Sequence, residues 1–306
     1  MFSISTTWNY TKECDLRQML TNIKACGLNH IEIGYNFTAS RLNELISLLD
    51  EFNVGVTSVH NFCPLPEQNP AGRFFTNCYY LSSLDENERK KAVFYTKQTI
   101  DTAKKIKAKS VVIHAGVVEF KSAYAKELIM LFNRGNIESE KASEVRAAFR
   151  KERISKNGPY VEAVMKSLDE ITNYAFSVDI KIGLENRYYV NEIPDINEAL
   201  VFLEKFSHKG LLYWHDTGHS CAQEQLKVIE KDSLLNRLGK HLLGFHLHDI
   251  SGLKDHLPPF TGEFDFARIS PYFKDKKILK IIEAHQPAKP EEIQTAISYF
   301  KNKNWL

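Results

Sequence analysis

A chain of 306 residues with a formal net charge of +2 and 25% charged residues is long enough to bury a full core, either as one large α/β barrel or as two ordinary domains. The near-neutral balance excludes a global nucleic-acid-binding surface. Five scattered cysteines (Cys14, Cys26, Cys63, Cys78 and Cys221) form no C-x-x-C pair, which excludes a disulfide framework and a thiolate zinc site.

The first ten residues carry neither the basic region nor the apolar run of a signal peptide, and no apolar run approaches the roughly 20 residues that span a bilayer. The expectation is a cytoplasmic protein with no membrane partner; the sequence admits a homo-oligomer without specifying one. Short apolar runs recur along the chain, each followed by a turn and a stretch of helical period. Phe2 to Thr6 reads as a first strand, Asp15 to Cys26 as a helix, Ile31 to Gly34 as a second strand and Arg41 to Phe52 as a helix. Val54 to His60 is a third strand, Asp85 to Lys107 a long charged helix, and Ser110 to His114 a fourth strand.

Residues 117–158 break this rhythm. They are rich in Lys, Arg, Glu and Ser and read as a helical insertion after strand four, either a solvated hairpin or, since such an insertion lies on the catalytic face of a barrel, a lid. Regularity then returns with a helix from Tyr160 to Phe176, strand five from Ile180 to Glu185 and a helix from Asp195 to Phe206. Strand six runs from Leu211 to His215 and a helix from Leu226 to Leu238. Strand seven runs from Leu242 to His248, strand eight from Ile278 to Glu283, and a closing helix from Pro290 to Lys301. Repeated βα units call for a parallel sheet, because a parallel connection needs a crossover helix. The fold class is therefore α/β, with a single (β/α)8 barrel over residues 1–306 preferred to a doubly wound open sheet.

Ionisable residues collect at the strand ends: His60, His114, Glu185, Asp216, His246 and Glu283. Apolar strands feeding a packed barrel have no structural need for buried carboxylates and imidazoles, and an unpaired one costs several kcal/mol. Glu185, Asp216, His246 and Glu283 are spaced by about one βα unit each, as residues converging on one central site must be. Two Glu, one Asp and one His suit a divalent Mn, Mg, Co or Zn ion. Further imidazoles at His60, His114, His219 and His256 tilt the set toward a transition metal and offer additional ligands.

Each candidate has a plainer role. Glu185 could pair with Arg187, Asp216 could cap a helix that leaves His219 on the surface, and His248 shares the strand face of His246 and competes with it as ligand. Arg187 offers a planar fork for a phosphate or carboxylate. Glu32 and Trp8 are expected on the pocket wall, where an aromatic face suits a sugar ring. His30, His208, His215, His241 and His285 are assigned to surface or packing.

The runs VIHAG, GLENR, HDTGH and FHLHD, with a final IIE, resemble the xylose-isomerase-like barrel superfamily, which holds sugar phosphate isomerases and epimerases together with the endonuclease IV type of apurinic endonuclease. The resemblance extends from strand two to strand eight. It implies that Glu185, Asp216, His246 and Glu283 share a divalent metal, that Glu185 and Glu283 are catalytic in moving a proton, and that His219 contacts substrate or metal. It favours His246 over His248. The endonuclease branch carries an Asp-x-His pair for a third zinc, and Lys254 stands here where that Asp belongs, two residues before His256. The epimerase branch usually lacks ligands equivalent to His60 and His114, which this chain has. The stretch from His256 to Phe266 resembles a loop of the sugar isomerase-like members.

The expectation is a divalent-metal-dependent isomerase or epimerase of a small sugar, polyol or their phosphates. His219, Arg187, His60, His114, Glu32 and Trp8 would form the substrate site. The alternative is an endonuclease IV-like zinc phosphodiesterase acting at abasic DNA, disfavoured by the near-neutral charge.

Overall fold

In a computed structural model, which describes residues 2–68, 73, 75–120 and 123–306, eight parallel strands close into a barrel. They are β1 (Phe2–Ser5), β2 (His30–Ile33), β3 (Gly55–His60), β4 (Ser110–Ile113), β5 (Lys181–Glu185), β6 (Leu211–Asp216), β7 (Leu242–Leu247) and β8 (Leu279–Ile282). Each pairs with its sequence neighbour and β1 pairs with β8, so no barrel edge is left open.

The helices outside are α1 (Leu16–Ala25), α2 (Ala39–Leu49), α3 (Glu86–Lys105), α4 (Tyr124–Asn133), α5 (Glu140–Ser177), α6 (Ile196–Phe206), α7 (Thr217–Gln225), α8 (Ser233–Leu238) and α9 (Pro290–Asn302). Their first turns are capped by side chains. Asp15, Thr38, Asp85, Ser139 and Asp195 each accept a first-turn backbone N–H, satisfying donors with no partner inside the helix. Among the described residues no helix is long and apolar enough to cross a membrane.

Two expectations for the elements are corrected. The insertion and the helix expected from Tyr160 are not separate, since α5 runs 38 residues straight through Pro159. Leu128, Val145 and Leu226 then form a small core that fastens the α4–α5 hairpin to the loop after α7. The helix expected over Leu226 to Leu238 is confined to Ser233–Leu238, while the turn after β6 is itself helical as α7. Asp216 nucleates α7 by accepting the His219 backbone N–H at 2.7 Å.

The barrel interior is filled from below by Trp214, packed with Val112, Leu279 and Ile281. Its neighbours across the sheet are Gly183 and Gly244, where a Cβ would lie only 2.8 and 2.7 Å from the indole. These strand glycines are therefore sites of close approach. The indole forms a floor, and the inward positions above it carry the polar residues of the site.

Candidate metal centre

Strand alternation points Glu32, Glu185, Asp216, His246 and Glu283 inward at the C-terminal end of the barrel, and burial there is nearly complete, with 3% exposure at most. One ligand atom from each of Glu185, Asp216, His246 and Glu283 lies within 4.8 Å of all the others. His246 Nδ1 is the hub: it stands 2.9 Å from Glu185 Oε1, 3.0 Å from Glu283 Oε2 and 3.9 Å from Asp216 Oδ2. Its other nitrogen, Nε2, lies 3.0 Å from Glu32 Oε1, and Ser58 donates to the second Glu32 oxygen at 2.7 Å. Glu32 thus orients the ring and leaves Nδ1 facing three carboxylates. Burial disfavours the imidazolium, yet the charges of Glu283, Glu32 and Glu185 outweigh it and hold His246 well above the usual histidine range. Glu283 is driven the other way for a carboxyl, up to about 7, by burial and by the negative charges of Glu185 and Glu32 working against His246.

Three buried carboxylates around one imidazole, with a fourth behind it, are the donor chemistry of a divalent cation, which relieves like-charge repulsion that burial would otherwise make costly. The residues fit the group the sequence pointed to.

Other expected residues fall around this cluster. His114 Nε2 lies 2.7 Å and His60 Nε2 3.6 Å from Glu185 Oε2. His219, buried rather than on the surface, lies 3.5 Å from Asp216 Oδ1, and its Nε2 is 3.7 Å from Asp255. A two-stranded ribbon, Asp249–Ser251 with Lys254–Leu257, follows β7 and folds His256 back so that its Nε2 is 3.9 Å from Glu283. His248 does not join the His246 hub: its Nε2 bonds both Asp216 oxygens at 2.9 Å. Its ring fits because residue 218 is glycine, where a Cβ would lie 2.2 Å from the imidazole. Asp216, His219, His248 and His256 make a second grouping of donors, and His60, His114 and Glu185 a third.

A cavity of about 510 Å³ opens above the hub and is lined by Glu185, Glu283, Arg187, His60, His114, His219 and His256. Two expectations are corrected here. Trp8 is fully buried and donates from Nε1 to the Ala288 carbonyl at 3.0 Å. Glu32, also fully buried, sits behind His246. Neither forms the wall. His285, assigned to surface or packing, lines the cavity and stacks on His256 at 3.8 Å between ring centroids. Tyr35, Asn77, Tyr188, Tyr189, Glu192 and Asp255 line it too. The tyrosines directly follow β2 and the GLENR run, and that placement past a strand end was the available signal.

A closed eight-stranded barrel with inward carboxylates at strands five, six and eight accompanies a match of residues 20–303 to the xylose isomerase-like TIM barrel family. The chain belongs to that family. As a xylose isomerase-like barrel it is similar in fold to 3-keto-D-glucoside 4-epimerase YcjR from E. coli, at 12% identity over 98% of each chain with a TM-score of 0.66. D-psicose 3-epimerase from Clostridium cellulolyticum H10, solved with D-tagatose, is similar at 15% identity over 98% of each chain with a TM-score of 0.65. The IolI protein, whose structure holds a zinc atom, is similar at 14% identity over 100% of this chain and 99% of that one, with a TM-score of 0.66. The uncharacterized protein y4fM of Sinorhizobium fredii is 27% identical over 110 residues, a match spanning 36% of this chain and 34% of that protein.

Proposed function

We propose that this barrel is a divalent-metal-dependent isomerase or epimerase of a small polyhydroxy ketone or its phosphate, with Glu185 and Glu283 moving the proton. The observation that carries the reading is the His246 hub, where two glutamates that both line the cavity flank one nitrogen at 2.9 and 3.0 Å. Glu185, Asp216, His246 and Glu283 would hold the cation, which when bound polarises a substrate carbonyl and its neighbouring hydroxyl and so acidifies the intervening C–H.

The remaining steps belong to the chain. One carboxylate accepts the carbon-bound proton, and the other returns a proton to the opposite face or to the adjacent carbon. Glu283, whose carboxyl burial and the charges of Glu185 and Glu32 raise above the usual carboxylate range, faces the cavity beside His246. His114, which burial and the Arg187 charge hold well below the ordinary histidine range, stays neutral beside Glu185. His219, His256 and the phenols of Tyr35 and Tyr188 lie on the cavity wall to receive substrate hydroxyls. The D-psicose, L-ribulose and D-allulose 3-epimerases among the fold neighbours support a ketose as the substrate class.

Solvent deuterium uptake into a panel of ketoses by the metal-loaded protein tests this reading. Exchange at one carbon is expected; absence of exchange across the panel in folded, loaded protein rejects it.

Two of the further donor groupings, Asp216 with His219, His248 and His256, and Glu185 with His60 and His114, favour a second reading, zinc-dependent phosphodiester hydrolysis at abasic DNA. It predicts nicking of an abasic duplex, against which stands a mouth lined by the carboxylates of Glu185, Glu192, Asp255 and Glu283.

A further inference from the structure

Arg187 is the sole guanidinium among the described residues that line the cavity, and no described lysine lines it. A phosphate or carboxylate on a substrate would seek that fork. The fork is already filled. Glu192 Oε1 accepts from Arg187 Nε at 3.3 Å and from Nη2 at 3.1 Å, while Nη1 donates to Glu185 Oε2 at 3.1 Å and contacts His114 Nε2. Both side chains of the pair are under 8% exposed.

Glu192 is held in place from three sides. Its second carboxylate oxygen accepts the Tyr189 N–H at 2.9 Å. Its backbone pairs with Val117 in an antiparallel ribbon that ties the loop after β4 to the loop after β5. Its carbonyl accepts from Arg153 Nη2 of α5 at 2.9 Å. Four carboxylates, Glu185, Glu192, Asp255 and Glu283, face the cavity against that single guanidinium.

We infer that Glu192 is a specificity-determining residue: by occupying the Arg187 fork and adding its own charge to the wall, it restricts the site to uncharged polyhydroxy ketones and excludes their phosphates. This rests on the isomerase or epimerase reading and narrows it to one substrate class.

The test compares kcat/KM of the metal-loaded enzyme for ketohexoses and pentuloses with those for their terminal phosphates, in wild type and in Glu192→Gln. Glutamine retains the shape and one acceptor but removes the charge. Wild type is expected to prefer the free sugar by on the order of 100-fold, because among the described residues of the wall the one guanidinium that could pair with a phosphate is already paired. In Glu192→Gln that preference should narrow about tenfold, chiefly through a lower KM for the phosphate. A merely structural role would lower both substrates together and leave the ratio unchanged, and that result overturns the inference.

Should the variant fail to fold, wild type alone decides. Inorganic phosphate and the ketose phosphates are expected not to compete with the free ketose, and competition with an inhibition constant below the ketose KM overturns the inference. Preference for a phosphate removes this inference and leaves isomerase chemistry standing, whereas turnover of neither class removes both.

Discussion

Replacing Glu185 or Glu283 by glutamine separates their two assigned duties, since the amide keeps the shape but cannot accept a carbon-bound proton. Each variant is expected to lose deuterium exchange by roughly 10²–10⁴-fold while the circular dichroism spectrum stays unchanged. Glu32 makes a different prediction. It touches no part of the cavity, yet its carboxylate holds His246 Nε2, so Glu32→Gln should weaken metal binding by about 10–100-fold in calorimetric titration with Mn or Zn. Unaltered affinity would show that Glu32 is only a buried neighbour. These residues differ in how openly the sequence announced them. Glu185 and Glu283 end apolar strands, where burial of a carboxylate needs a reason. Glu32 also sits on a strand, but its service to an imidazole 214 residues away depends on barrel closure.

Elements carry the next two predictions. Arg153 on α5 binds both Glu198 oxygens at 2.6 and 2.8 Å and Asp195 at 2.9 Å, joining the insertion helix to the N-terminus of α6. Arg153→Met leaves Glu198 buried without its cation and should cost about 3–5 kcal/mol in urea unfolding. The double variant with Glu198→Leu should recover most of that loss. On β6, the face opposite Trp214 and Asp216 carries His215, whose Nδ1 meets Tyr213 Oη at 2.6 Å and whose Nε2 meets Ser220 Oγ at 3.3 Å.

Burial holds the His215 pKa down to about 3, well below an unfolded histidine near 6.5. Between those values the unfolded chain binds a proton that the native chain refuses, so this contribution is complete above about pH 6.5 and is lost as pH falls toward 3. His215→Gln should flatten the stability profile in that window by about 1.4 kcal/mol per pH unit, measured by denaturant midpoints from pH 7 to 4. The boundaries of these elements were partly legible. The helices expected from Asp85 and Asp195 do begin there, with each aspartate as the N-cap. The break at Pro159 and the helix from Leu226 did not, because packing of α5 outweighs one lost N–H, and because Asp216 starts a helix directly at the strand end.

At the scale of the whole molecule, the centre gathers residues from β5, β6, β7 and the end of β8, so a cation held there ties much of the barrel wall together. Chelation should lower the unfolding temperature and re-addition of Mn or Zn restore it, with a stabilisation of about 2.7 kcal/mol when free metal is 100 times its Kd. Differential scanning fluorimetry reads this directly, and an unfolding temperature indifferent to chelator would remove the metal centre.

By itself the sequence determined the eight strands, the closed-barrel class and the strand-end positions of Glu185, Asp216, His246 and Glu283. Strand alternation and crossover length are local properties that residue order carries. Only the tertiary structure decided which nitrogen of which histidine faces the carboxylates, that Glu32 and Trp8 lie behind the wall, and that His285, Tyr35 and Glu192 form it. Those outcomes depend on strand register, on a ribbon folding His256 back over the mouth, and on Gly218 making room for His248. Such contacts join residues far apart in the chain, and neither period nor spacing records them.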